Sequence, residues 1–230
     1  MFGQTLAIMS SALLTFASGG MICPNGQIPD VRMGYHIDAP VFDRSHNKEE
    51  IHALAVSQGK DATFATPLLG VRGWHAEGFT HVYTRTGINV PARTLTDGAT
   101  GRSCIAFDEI EITMEMSQTV YLNNDEQADS CNAQVTVQHE QVHIKDNEAV
   151  YEAYRHIVED WAKSESARYF YDIGTGPFTQ QEAEGLYRRV NAHFKYGFDM
   201  IMASMDKEIR KRQQGIDTEE NYRTLSTLCP

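Results

Sequence analysis

Hydrophobic positions change rhythm along this chain. Before about residue 122 they tend to alternate with polar ones, and beyond about residue 132 they recur every three or four residues. The alternating part predicts a strand at 33–37 and a hairpin with arms at 71–76 and 79–85, both arms rich in aromatic and β-branched residues. Ile105, Phe107, Ile110 and Ile112 alternate with acidic neighbours over 105–116, with a bulge near Asp108, and 119–122 reads as a further strand. A short helix is expected at 48–58 and a Gly/Thr-rich loop at 92–102.

The helical rhythm predicts a helix from about 132 through 161 or beyond. Its apolar stripe is Val135, Val142, Ala149, Val150, Ala153, Ile157 and Trp161. The run Asp-Ile-Gly-Thr-Gly-Pro at 172–177 breaks it. Thr179, with Glu182 three residues on, forms a capping box for a second helix ending near Gln214, before Gly215. That helix carries Ala183, Leu186, Val190, Phe194, Gly197, Ile201 and Met205 on one stripe. Asp217 and Glu220 read as the capping pair of a last short helix. Two long helices joined by a short turn pack antiparallel, and a turn centred near Gly174 puts Gln141 across from Lys207. The fold expected is α+β: an N-terminal antiparallel β-rich part (24–102) packed on a two-helix core (103–230), in one domain over 20–230.

Three polar residues, His139, His143 and Asp146, fall within the first helix's stripe. Buried without partners they would cost roughly 1 to 3 kcal/mol each, and a shared cation removes that cost. The spacing His139-Glu140-Gln141-Val142-His143 is the HExxH arrangement. Residues four apart stack on one helix face, so both imidazoles can meet one metal ion, with Glu140 beside them to take a proton from a water on it. Zinc is the cofactor expected. Glu208, the one acid on the second helix's stripe, is the first choice for a third ligand, ahead of Asp146, His193, Asp199 and Asp206. Asp146, about two turns past His139, is better placed to support a ligand than to be one. His156, Tyr154 and Tyr222 are candidates to stabilise an oxyanion. The strand at 119–122 is a candidate edge for an extended substrate or, equally, an internal strand. The plainer alternative is a pair of core histidines hydrogen-bonded to neighbouring acids.

The chain has 230 residues, 41% of them apolar, enough for a full core. Its formal charge of -11 argues against a nucleic-acid partner. A short apolar run over 6–17, followed by small residues, reads as a secretory signal at 1–19 and is too short to span a membrane. Four cysteines then suggest two disulfides in a secreted or periplasmic protein, with Cys104–Cys131 and Cys23–Cys229 the pairing expected.

The order of strand, Cys131, HExxH, long helix and Cys-terminated tail resembles zincin-type metallopeptidases. It is most similar to bacterial families described as predicted secreted zinc-dependent proteases of otherwise unknown function. The likeness covers roughly 104–229, and HExxH is its one specific motif. It implies a zincin-like fold, His139 and His143 as zinc ligands, Glu140 as general base, and a peptide or protein substrate. The position six residues after His143 is Ala149 where metzincins have a third histidine, and no Asn-Glu-x-x-Ser-Asp follows on a second helix. The competing expectation is a non-catalytic envelope or interaction protein with a structural or vestigial metal site.

Overall fold

A computed structural model describes residues 21–24, 26–58, 78–125 and 127–229. The expected signal at 1–19 and the first hairpin arm, 71–76, lie outside the described residues. The sheet is organised around β6 (Glu109–Leu122), whose side chains alternate between buried and more accessible along its whole length. On one side of it lie β1 (Asp30–Ile37) and β2 (Val41–Asp43), both parallel to β6; on the other lies β3 (Gly78–Asn89), antiparallel. The architecture is α+β, but the sheet is mixed where an antiparallel one was expected. Alternation encodes which face of a strand is buried, and nothing about the direction of its neighbours.

Two strands expected at 105–116 and 119–122 divide differently. Ser117 and Gln118 continue the ladder, so β6 runs through, and the break falls at Asp108, which separates β6 from β5 (Ser103–Phe107). β5 pairs with β4 (Ala92–Thr96), in a segment expected to be loop. Residues 119–121 are paired on both sides, by β2 and β3, so they are internal and offer no edge to a substrate.

Four helices follow from the sequence with small shifts: α1 (Lys48–Gln58), α2 (Cys131–Phe170), α3 (Gln180–Ile216) and α4 (Glu219–Ser226). Thr179 and Glu182 form the capping box of α3. The long helices are antiparallel: Glu165 meets His193, Trp161 meets Gly197, and Asn147 meets Gln213. They cover the sheet face bearing Ile110, Ile112, Met114 and Met116, and with Tyr151, Val158, Val190 and Phe194 make the main core. The stripe of α3 is close to expectation. That of α2 is not: Val142 and Ile157 are about half exposed, and Ala149 and Ala153 are exposed too. The buried face instead carries Glu140, His143, Asn147, Tyr151 and Ser166 beside its apolar residues, so the apolar pattern alone points to the wrong side.

The disulfides are Cys23–Cys104 and Cys131–Cys229, correcting the expected pairing. Cys104 and Cys131 are close in sequence, yet the 14 residues of β6 lie between them, on the order of 45 Å of extended chain. Two disulfides suit an oxidising compartment. Among the described residues, no helix is long and apolar enough to cross a membrane.

Candidate metal centre

The N-terminal third of α2, capped by Ser130, carries the motif. His139, Glu140 and His143 are all buried, and their ligand atoms lie within 4.8 Å of one another. The two Nε2 atoms face each other at 3.1 Å, with the rings nearly perpendicular. Asp217 completes the group: its Oδ1 is 3.1 Å from each Nε2. Three donors thus form a near-equilateral triangle. Zinc ligands held tetrahedrally at about 2.0–2.1 Å stand roughly 3.3 Å apart, so two imidazole nitrogens and a carboxylate oxygen fit such an ion in kind and in spacing. The same set suits other divalent ions of the first transition row.

Asp217 reaches the site because α3 ends there. It is the helix's C-cap, its N–H donating to the Gln213 carbonyl, and Thr218 is the N-cap of α4, a role expected for Asp217. Tyr222, on α4, donates from its hydroxyl to Asp217 Oδ1 at 2.8 Å, and the Tyr222 hydroxyl oxygen is 3.3 Å from His139 Nε2. The Cys131–Cys229 bond ties the tail that carries both residues to the first residue of α2.

Glu208 is not brought to the histidines. His143 meets Gln213 on α3, and Glu208 lies more than a turn before it, accepting from Arg212 Nε at 2.8 Å. Asp146 accepts from the same Arg212 at 3.2 Å and is hydrogen-bonded to neither histidine, whose partners are Asp217, Gln213 and Tyr222. His193 pairs with Glu165, towards the other end of the helices, and Asp199 with Lys195. His156 lies against Glu152 and Arg155, and Tyr154 packs on the main core, leaving Tyr222 as the oxyanion candidate at the site. The register explains the displacement: Glu165 meets His193 and Trp161 meets Gly197, so the helices pair ten residues later than a turn at Gly174 predicts, although the connection from Phe170 to Gln180 is centred only one residue past it. The signal that could have found Asp217 is an acid at the end of the second helix, followed by Tyr222 and a cysteine that pairs with Cys131.

Glu140 sits against β3. Thr80 Oγ1 donates to its Oε2 at 2.6 Å, and a Cβ added at Gly78 would lie 2.8 Å from its Oε1 and 2.7 Å from Thr136 Cγ2. Only glycine permits that approach. Burial raises the Glu140 carboxyl above its usual range, against the opposing pull of His143, Thr80 and His139. Burial alone would lower the His143 imidazole, but the Asp217 hydrogen bond, the Glu140 charge and Gln213 outweigh it and push it up to about 9. Burial would raise Asp217, yet its hydrogen bonds to His139 and His143 hold it well below the carboxylate range. Tyr222 is pushed up by burial and by the Asp217 charge, so it stays a donor.

Compared with known proteins, the chain matches no family model, no curated protein and no solved structure.

Proposed function

We propose that this chain is a zinc-dependent peptide-bond hydrolase of zincin-like type, acting in an exported, oxidising setting, with His139, His143 and Asp217 as the metal ligands. The observation that carries the reading is the convergence of three donor atoms beside a buried carboxylate. A zinc ion held there would polarise a carbonyl and acidify water to near neutral pH. Glu140 is the proton carrier: Thr80 occupies Oε2, Oε1 is left to accept, and a raised carboxyl affinity lets it hold a proton and return it to a leaving amine. The Tyr222 hydroxyl, which donates to Asp217 Oδ1, is a neutral donor that would serve a developing oxyanion on turning from that carboxylate. Without metal, Asp217 Oδ1 accepts from both imidazoles and from Tyr222; with a metal bound it would stand beside the two Nε2 atoms as a ligand.

A second reading is a closed, structural metal site without catalysis, favoured by the burial of all three motif residues. Elemental analysis with peptidase assays separates the two. Wild type should carry one zinc per chain, His139→Ala none, and Glu140→Gln one zinc with activity lowered by about a hundredfold or more. Full activity in Glu140→Gln would sink the hydrolase reading. Absence of zinc from wild type after supplementation would sink both.

A further inference from the structure

Behind His143 a line of side-chain amides runs out of the site and into the sheet. His143 Nδ1 bonds Gln213 Oε1; Gln213 Nε2 donates to Asn147 Oδ1 at 2.8 Å; Asn147 Nδ2 donates to Gln118 Oε1 at 2.9 Å. Gln118 and Asn147 are each 1% exposed, so solvent does not compete for these groups. The chain links three elements, α3, α2 and β6, and nothing in the chemistry described above uses it.

Its polarity is one-way. Each amide accepts on its carbonyl from the side of the metal centre, and Gln213 and Asn147 donate from their NH2 groups towards the sheet. Turning a single amide would set carbonyl against carbonyl at one end and NH2 against NH2 at the other, so each link constrains the next. The far end does not impose the direction, because Gln118 Nε2 is buried without a hydrogen-bond partner among the described residues. The near end carries the consequence: a carbonyl at Gln213 Oε1 requires an N–H at His143 Nδ1.

We propose that Gln118, Asn147 and Gln213 form a positioning chain that holds the His143 ring with Nδ1–H as donor, so that the Nε2 lone pair is the one presented to a divalent metal ion. Asn147 is the decisive link. Its side chain bonds to none of the three metal ligands, yet its Oδ1 is what keeps the Gln213 NH2 turned away from His143. Without it, Gln213 can rotate, offer NH2 to Nδ1, and drive the proton to Nε2, where it blocks ligation. The consequence for metal affinity rests on the zinc reading above; the orientation of the ring does not.

The test uses the full chain with 15N-labelled histidine, zinc-free and zinc-loaded. In wild type the His143 Nδ1–H should be a slowly exchanging resonance in both states. Asn147→Leu, close in volume but without the amide, should speed that exchange at least about tenfold and weaken zinc binding, by chelator competition, roughly ten- to hundredfold. Asn147→Asp, whose carboxylate still accepts from Gln213 Nε2, should keep both within about threefold of wild type. A folded Asn147→Leu with wild-type exchange overturns the proposal, as does faster exchange with unchanged zinc affinity. Should Asn147→Leu fail to fold, Gln118→Leu carries the same test one link further out, with exchange at least about threefold faster expected and no change overturning the proposal. A wild type that binds no zinc but loses its protected Nδ1–H in Asn147→Leu would retain the amide chain and remove the metal reading, so the two failures are distinguishable.

Discussion

Asp217 and Glu208 make opposite predictions from one geometry. Asp217 Oδ1 touches both imidazole Nε2 atoms, whereas Glu208 is committed to Arg212. Asp217→Asn should therefore lower zinc affinity by about a hundredfold or more, and Glu208→Ala should leave it within about twofold, as read by titration against a chromogenic chelator. A protonation effect belongs to the same atoms. His143 is raised from 6.5 to about 9 by its partners, so in zinc-free protein this group's contribution to stability is full below about pH 6.5 and is lost as pH rises through 9. The raised Glu140 carboxyl works in the same sense, and the lowered Asp217 in the opposite one, its contribution lost only at strongly acidic pH. Thermal unfolding of chelator-treated protein should show a midpoint that falls between pH 6.5 and 9, and the fall should flatten in Asp217→Asn. At this scale the sequence made His139, Glu140 and His143 legible because their spacing is local. Asp217 was hidden because its role depends on where α3 stops, and the same acid reads equally well as a helix cap.

Between elements, the register of α2 against α3 decides which residues meet. It is held where Gly197 lies against Trp161: a Cβ there would come within 2.3 Å of Trp161 Cζ2. Gly197→Ala should gain helix propensity but force the ring aside, a net loss of roughly 1–3 kcal/mol in chemical denaturation. Greater stability in that variant would mean the helices can slide or part at this crossing without cost. Gly197 was visible in the sequence as part of the α3 stripe, and its partner was not. The stripe of α2 misled for a physical reason. Burial there follows hydrogen-bonding opportunity as well as hydrophobicity, since Asn147 and Ser166 are buried with partners on β6 and at Pro29, while Val142 and Ile157 face solvent.

Across the whole molecule the two disulfides divide the work. Cys23–Cys104 fastens the N-terminal segment to β5, whereas Cys131–Cys229 fastens the tail bearing Asp217 and Tyr222 to the start of α2. Each closes a loop of comparable length, 81 and 98 residues apart in sequence, so each should contribute roughly 4 to 5 kcal/mol through the unfolded chain. Their effects on the site should differ. The double variant Cys131→Ser with Cys229→Ser should lose about tenfold or more in zinc affinity beyond its loss of stability, and Cys23→Ser with Cys104→Ser should keep wild-type affinity under folded conditions. Equal affinities in the two variants would show that α3 alone holds Asp217 in place.

Short-range periodicity and chemistry were enough to read the helices, the capping box at Thr179, the faces of β6, the α+β class and the HExxH group. Only the tertiary structure decided the mixed direction of the sheet, the cysteine partners, the ten-residue shift in helix register and the arrival of Asp217 and Tyr222 beside the histidines. The reason is one of range. A repeat of two or 3.6 residues is set by the backbone within a few residues, whereas the meeting of two elements depends on the length of the connection between them and on which side chains interlock, and neither is written in the local pattern.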